Sequence, residues 1–420
     1  MSPESNTFDD PTGKPAVVHN SSFSIHHSSI PERVRSVAMP PIDALNTRMA
    51  EINAAGGDVI SLGQSVPFFG PPPEMIEAVR DALDGFGPRL HTYGPDAGIP
   101  ELREALARKL ADFNGVEVDP DRQLLVTPGS NQAFMVTMMT ILEPGDEVAI
   151  ASPYYFNHHM AIELCSGVVR EIPLSEENGF QMTLEDVESA LSPRTKAVVI
   201  TSPNNPTGTV YAPDEVMAIA RSLTERGIYV INDDAYEVFC YDGARHVSPM
   251  TVVEPSELLV TLGSLSKTLG MTGWRIGYIA ADPELITQAL KVQDATAICA
   301  PIVAQVAALA ALDQMPAYPQ SMIEELDERR DLLQSVVDET SALHWHRTDG
   351  ALFALVRADS ARGDRRELES ELLERAHVLT VPGRAFGSQW SDFMRVSYGC
   401  SPRDRYEEAL ERVATFFGGL

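Results

Sequence analysis

The chain of 420 residues predicts an α/β fold: a three-layer, mostly parallel sheet, with a smaller α+β domain beside it. Two observations carry this. From about residue 70 to 300, continuous apolar runs of strand length alternate with helical stretches, the pattern of a parallel sheet covered on both faces. From about residue 313 the texture changes to long charged helices separated by two strand-like segments.

The first helix signal is PELREALARKLADF, with Leu102, Leu106 and Leu110 four apart on one face. Leu124 to Val126 reads as a short strand, and PGSNQAFMVTMMTILEPGDE as a helix ended by Pro144-Gly145. The runs EVAIASP, KAVVITSPNNPTG, YVINDDAY and LLVTLGSLSK then read as buried strands that each stop in polar or turn residues. In such sheets, ligands bind outside the carboxyl ends of the strands. Beyond residue 313 come a helix (EELDERRDLLQSVVDE), a strand (ALFALVRA), a helix (RELESELLERA), a strand (FMRVSYG) and a last helix. Residues 35–70 are expected to join residues 313–420 in the smaller domain, since chain termini often lie close together. Residues 71–312 then form the large domain, and residues 1–34, polar and acidic, a flexible arm.

Composition removes several function classes. Lys and Arg total 32 against 60 Asp and Glu, a net charge of -28, so nucleic acid and anionic membrane surfaces are repelled. No apolar run has the length of a membrane span, and the N-terminus lacks a signal peptide's basic and apolar regions. A cytoplasmic location is the expectation. The four cysteines are far apart, and His344 with His346 offers only two ligands on a strand face, so no metal site is expected.

Chemistry concentrates at the strand ends. Lys267 directly follows an apolar strand, and burying a lysine is costly unless it has a task. The Lys-Thr pair suggests a phosphate loop, but that motif needs glycine where Ser266 and Thr261 stand. Asp233-Asp234-Ala235-Tyr236 closes another strand, Asn204-Asn205-Pro206-Thr207-Gly208 a third, and Gly129-Ser130-Asn131 opens a helix. Taken singly, these are an N-cap, a turn and a helix start. In this order, with Ser264-x-x-Lys267 and Arg275 eight residues on, they resemble the class I/II aminotransferases, fold-type I enzymes that depend on pyridoxal phosphate. The resemblance runs from about Ile60 to Arg395.

The resemblance implies a role for each position. Lys267 matches the lysine that bonds the cofactor aldehyde and later moves the substrate α-proton. Asp233 matches the aspartate paired with the pyridine nitrogen. Such a pair, at about 4 Å and an effective dielectric near 20, is worth roughly 4 kcal/mol, or about three pKa units. Asn205 and Tyr236 match donors to the ring phenolate, and Tyr155 an aromatic stacked on the ring. Ser130, Asn131, Ser264 and Arg275 match the phosphate cradle, where helix N–H groups and a guanidinium favour an anion. Tyr93 matches a tyrosine that reaches the phosphate of the neighbouring subunit, implying a homodimer with shared sites. Arg395 matches the arginine that grips the substrate carboxylate, and Gly63 a loop glycine beside it.

Some members of the family read an acidic side chain with a lysine where Asn131 stands, and asparagine has no such charge. The enzyme is therefore expected not to be strictly dicarboxylate-specific, with Phe68 and Phe69 lining an apolar side-chain pocket. The expected reaction moves the amino group of an L-amino acid to a 2-oxo acid. The same cradle also serves elimination or replacement, cyclopropane formation and oxidation, so a non-transaminating biosynthetic enzyme is the alternative. A DNA-binding regulator of this fold would need a longer N-terminal domain than 35 residues.

Overall fold

The computed structural model describes residues 30–85, 87–251, 257–359 and 368–418. Its strands are β1 (Ile60–Ser61), β2 (Leu124–Thr127), β3 (Glu147–Ser152), β4 (Val168–Pro173), β5 (Thr195–Thr201), β6 (Tyr229–Asp233) and β7 (Leu259–Ser264). They continue with β8 (Gly277–Ala281), β9 (Leu343–His344), β10 (Phe353–Ala358), β11 (Val378–Leu379), β12 (Val381–Pro382) and β13 (Phe393–Ser397).

Seven strands form the large sheet in the order β2-β8-β7-β6-β5-β3-β4. All its pairings are parallel except the two made by β8, which runs antiparallel to β2 and β7. The mostly parallel sheet expected from the apolar runs is therefore present. Two of its strands carry weak signals. Edge strand β4 holds Arg170 and Glu171 out to solvent, and β8 is a short run behind the Arg275 turn.

Helices cover the sheet. Leu102, Leu106 and Leu110 are buried together against Leu124 and Val126, as their four-residue spacing requires. Each such burial is worth roughly 1.5–3 kcal/mol. The helix Ser130–Ile141 packs Phe134 and Met138 on the opposite layer, and ends three residues before the predicted Pro144 stop.

A four-stranded antiparallel sheet, β12-β13-β10-β9, lies under the helices Ala317–Glu339 and Arg403–Gly418. β1 pairs in parallel with β11, Ile60 opposite Val378, which ties the N-terminal residues to the C-terminal ones. The expected arm over residues 1–34 lies outside the described residues up to Ser29. Its last part enters a helical turn, Glu32–Arg35. No helix among the described residues is long and apolar enough to cross a membrane.

Candidate active site

A cavity opens at the carboxyl ends of β5, β6 and β7, where the topology of a parallel sheet places ligands. Its lining includes Ser130, Asn131, Tyr155, Asn205, Asp233, Tyr236, Ser264, Lys267 and Arg275, together with Thr201 and Ser266. A roomier cleft of about 240 Å³ lies between Arg108, Phe113, Leu312 and Pro316. It gathers no comparable set of polar strand ends.

Lys267 sits in the helical turn Leu265–Thr268 that follows β7, a turn capped by the Ser264 hydroxyl accepting from the Ser266 N–H at 3.2 Å. Its Nζ donates to the Ser65 carbonyl. Burial, with Arg395 and Arg275 nearby, brings its pKa down to about 8. At pH 7 that leaves roughly 300 times more neutral amine than an ordinary lysine would have.

Asp233 closes β6 and is almost fully buried. One carboxylate oxygen meets His158 Nε2 at 3.0 Å, and the other accepts from the Ala235 N–H at 3.2 Å. His158 stacks on Phe134 at 4.1 Å and meets Tyr155 edge-on at 5.1 Å. His158 is not evident from the sequence, because a histidine pair in a helix gives no sign of which member turns inward. Its position three residues after Tyr155 was the available clue. The Tyr155 hydroxyl donates to Asn131 Oδ1 at 3.3 Å and accepts from Asn157 at 2.9 Å. Tyr236 shares a hydrogen bond of 2.9 Å with Ser65 Oγ, and burial pushes its pKa up.

The helix Ser130–Ile141 begins beside Arg275, and its first N–H groups have no partner within the helix. A Cβ on Gly129 would come within 2.2 Å of Arg275 Nη2, so glycine is what allows the close approach. Arg275 itself adopts a left-handed φ of 56° and donates to the Thr272 carbonyl at 2.9 Å and to Ser266 Oγ at 3.4 Å.

Arg395 comes from β13. Alternation alone would give it a solvated face, yet it is only 4% exposed. It donates to Asn205 Oδ1 and to the Gly63 carbonyl, both at 2.9 Å, and lies between the rings of Phe353 and Phe386. Gly63 thus meets the arginine through its carbonyl, and a Cβ there would strike Leu379 at 2.4 Å.

Arg395 and Gly63 do not line the cavity themselves but are joined to it through Asn205, and three further expected residues lie away from it. Tyr93 is 79% exposed and does not line its own chain's cavity. Phe68 and Phe69 also line no part of it, against expectation. Phe69 packs on Tyr318 and Phe68 lies under the Arg329 guanidinium, because the loop folds them into the core of the four-stranded sheet.

Comparison with known proteins gives the chain its family. The family model described as aminotransferase class I and II matches residues 57–413. A probable aspartate/prephenate aminotransferase of Aquifex aeolicus is 36% identical over 389 residues, covering 91% of this chain and 96% of that one. The aromatic-amino-acid aminotransferase 2 of Thermococcus litoralis is 33% identical, covering 84% and 90%. Among solved structures, the aspartate aminotransferase of Thermus thermophilus with maleate superimposes with a TM-score of 0.85 at 36% identity, covering 92% of this chain and 99% of that one. A buried lysine and a buried aspartate at strand ends, with a buried arginine bonded to Asn205 beside them, on a chain so matched, have one reading: the chain belongs to the class I and II aminotransferases.

Proposed function

We propose that this protein uses pyridoxal 5'-phosphate, bound to Lys267, to transfer the amino group of an L-amino acid to a 2-oxo acid. The observation that carries the reading is a buried lysine whose pKa falls to about 8, in the same cavity lining as Asp233. The residues present fit the cofactor. Lys267, Arg275 and Arg395 crowd positive charge beside a helix N-terminus, a charge balance that a phosphate and a carboxylate would relieve. Arg395 Nε, buried, has no protein partner among the described residues.

When bound, pyridoxal phosphate supplies an electron sink conjugated to the substrate Cα. The chain's own residues then divide the work. Arg275, Ser264 and the N–H groups of Ser130 and Asn131 hold the phosphate, and Tyr155 covers one ring face. Asp233, held by His158, would pair with the ring nitrogen, while Asn205 and Tyr236 would donate to the ring oxygen. Arg395, beside Gly63, fixes the substrate carboxylate. Lys267 Nζ, free once the substrate amine has displaced it, would accept the α-proton from Cα and hold it as an ammonium. If residues 35–70 with 313–420 and residues 71–312 are two domains, the Lys267–Ser65 and Arg395–Asn205 contacts bridge them beside this site.

The relatives named above all transfer amino groups, which favours transamination over elimination or ring closure. Asn131 contributes no cation, so aromatic or uncharged amino acids are proposed as substrates alongside aspartate. The expected result with a panel of amino acids is an aminated cofactor that a 2-oxo acid returns to its original absorbance. Irreversible loss of amine, or reaction confined to aspartate and glutamate, would overturn the corresponding part.

We further propose a cytoplasmic homodimer in which Tyr93, exposed on its own chain, reaches the phosphate in the other subunit. A hydrogen bond to a charged group is worth roughly 1.5–3 kcal/mol. Tyr93→Phe is therefore expected to weaken pyridoxal phosphate binding roughly 10- to 100-fold. A fluorescence titration checks this, and unchanged affinity, or a monomer by sedimentation, would remove Tyr93 from the site.

A further inference from the structure

Behind the cavity lies a second set of buried ionisable groups that the proposed chemistry does not use. The turn after β6 sends its side chains two ways. Asp233 and Tyr236 line the cavity. Asp234 and Glu237, both nearly inaccessible, meet Lys109 and His246 instead. Lys109 Nζ pairs with Glu237 Oε1 and donates to Asn114 Oδ1 at 2.9 Å and to the Tyr278 hydroxyl at 3.3 Å. Asn114 donates to the second Glu237 oxygen at 2.7 Å. Asp234 Oδ1 accepts from Asn232 at 2.6 Å and lies 3.1 Å from His246 Nε2, whose side chain is 4% exposed.

Two carboxylates thus stand against one ammonium. A buried uncompensated charge is expensive, and one more positive charge would balance the set. Asp234, Glu237 and His246 have the ligand types and spacing, within 4.8 Å of one another, to attract a metal ion. Both Glu237 oxygens, however, are already engaged by Lys109 and Asn114, and a divalent ion beside that ammonium would overshoot the balance. A proton on the imidazole gives neutrality without disturbing either bond.

We propose that His246 holds one proton against Asp234, that this proton neutralises the buried cluster, and that the neutral cluster fixes the turn from Asp233 to Glu237. His246 and Asp234 are then positioning residues for Asp233 and Tyr236, acting through the backbone of the turn. Only this last step rests on the proposed cofactor reading.

Burial raises the Asp234 pKa against His246 and Lys109, so the proton belongs to the pair, and the remaining neighbours act on His246 as well. Burial alone would lower its pKa, but Asp234 and Glu237 outweigh burial and the opposing Lys109, so the net direction is up. Cys240, under the His246 backbone, is pushed up to about 12 by burial and stays a thiol. Tyr278 and Lys109 are also held in their protonated forms. A group with a raised folded-state pKa stabilises the fold fully below its unfolded value, about 6.5 for histidine, and loses that contribution as pH rises through the folded value.

The test compares thermal unfolding of cofactor-free wild type, His246→Gln and Asp234→Asn from pH 5.5 to 9.5. The wild type is expected to lose Tm above about pH 6.5 by a component missing from His246→Gln. Titrations elsewhere in the chain are common to both and cancel in the difference. Parallel curves for wild type and variants would overturn the proposal, and Asp234→Asn carries the comparison if His246→Gln fails to fold. So would a stoichiometric divalent metal in purified wild type that chelation removes and His246→Gln lacks. In cofactor-loaded protein, the pH midpoint of the visible absorption is expected to move by about half a unit in His246→Gln. A purely structural role would lower Tm equally at every pH and leave that midpoint in place, which would refute the positioning step. Failure to bind pyridoxal phosphate at all would instead refute the cofactor reading, while the cofactor-free curves still report on the cluster.

Discussion

Replacing Lys267 with alanine is expected to lower amino transfer by at least about 10⁴-fold, since the variant loses both the group that anchors the cofactor and the base that moves the α-proton. The phosphate cradle around Arg275 does not depend on Lys267, so the variant should still take up pyridoxal phosphate, without the absorbance of the lysine-bound form. Borohydride treatment followed by peptide mass analysis checks this. In wild type the added mass belongs on the peptide containing Lys267, and labelling in the variant would refute the assignment. Lys267→Arg separates charge from chemistry: it keeps the cation but cannot release a proton near neutrality. If it is as inactive as the alanine variant, the role of Lys267 is chemical. The pKa near 8 adds a pH signature. Cofactor capture by cofactor-free protein should accelerate about tenfold per pH unit up to about 8 and then level off, as the neutral amine saturates.

The large sheet was legible because its central strands are continuous apolar runs, buried on both faces, that end abruptly in polar residues. VVREIP and GYIAA were not read, for opposite reasons. β4 is an edge strand whose exposed charges break up the apolar run, and β8 follows directly on a motif that reads as a loop. The site was legible where function requires a polar residue at a position that packing alone would make apolar: Lys267 after β7, Asp233 at the end of β6, Arg395 within β13. His158 was not, because its role depends on which face of a helix turns toward Asp233, and that is decided by tertiary packing on Phe134. Phe68 and Phe69 were misplaced for a related reason. Two adjacent aromatics in a loop look like a pocket wall, but the cores under Tyr318 and Arg329 offered them more burial. The Asp234 cluster is least legible of all, since Lys109, Asp234 and His246 are brought together only by the fold.

Arg395→Ala is expected to cost about 2–5 kcal/mol in substrate binding, the range for removing one member of a buried charge pair. That corresponds to a KM roughly 30- to 4000-fold higher, and an unchanged KM for amino acids would take Arg395 out of the site. Part of the loss would be indirect, because Asn205 Oδ1 and the Gly63 carbonyl each lose a buried donor. Arg395→Lys distinguishes the two contributions. A lysine can satisfy one of these acceptors and keeps the charge, but it cannot grip a carboxylate with two parallel bonds or lie flat between Phe353 and Phe386. If carboxylate recognition dominates, the lysine variant should recover cofactor absorbance and Tm while KM stays high. If Arg395 mainly braces Asn205 and Gly63, KM should recover along with them. The guanidinium remains charged at neutral pH although burial lowers its pKa, so the KM contrast should persist across the working pH range, whereas effects that run through Lys267 will follow the titration near pH 8.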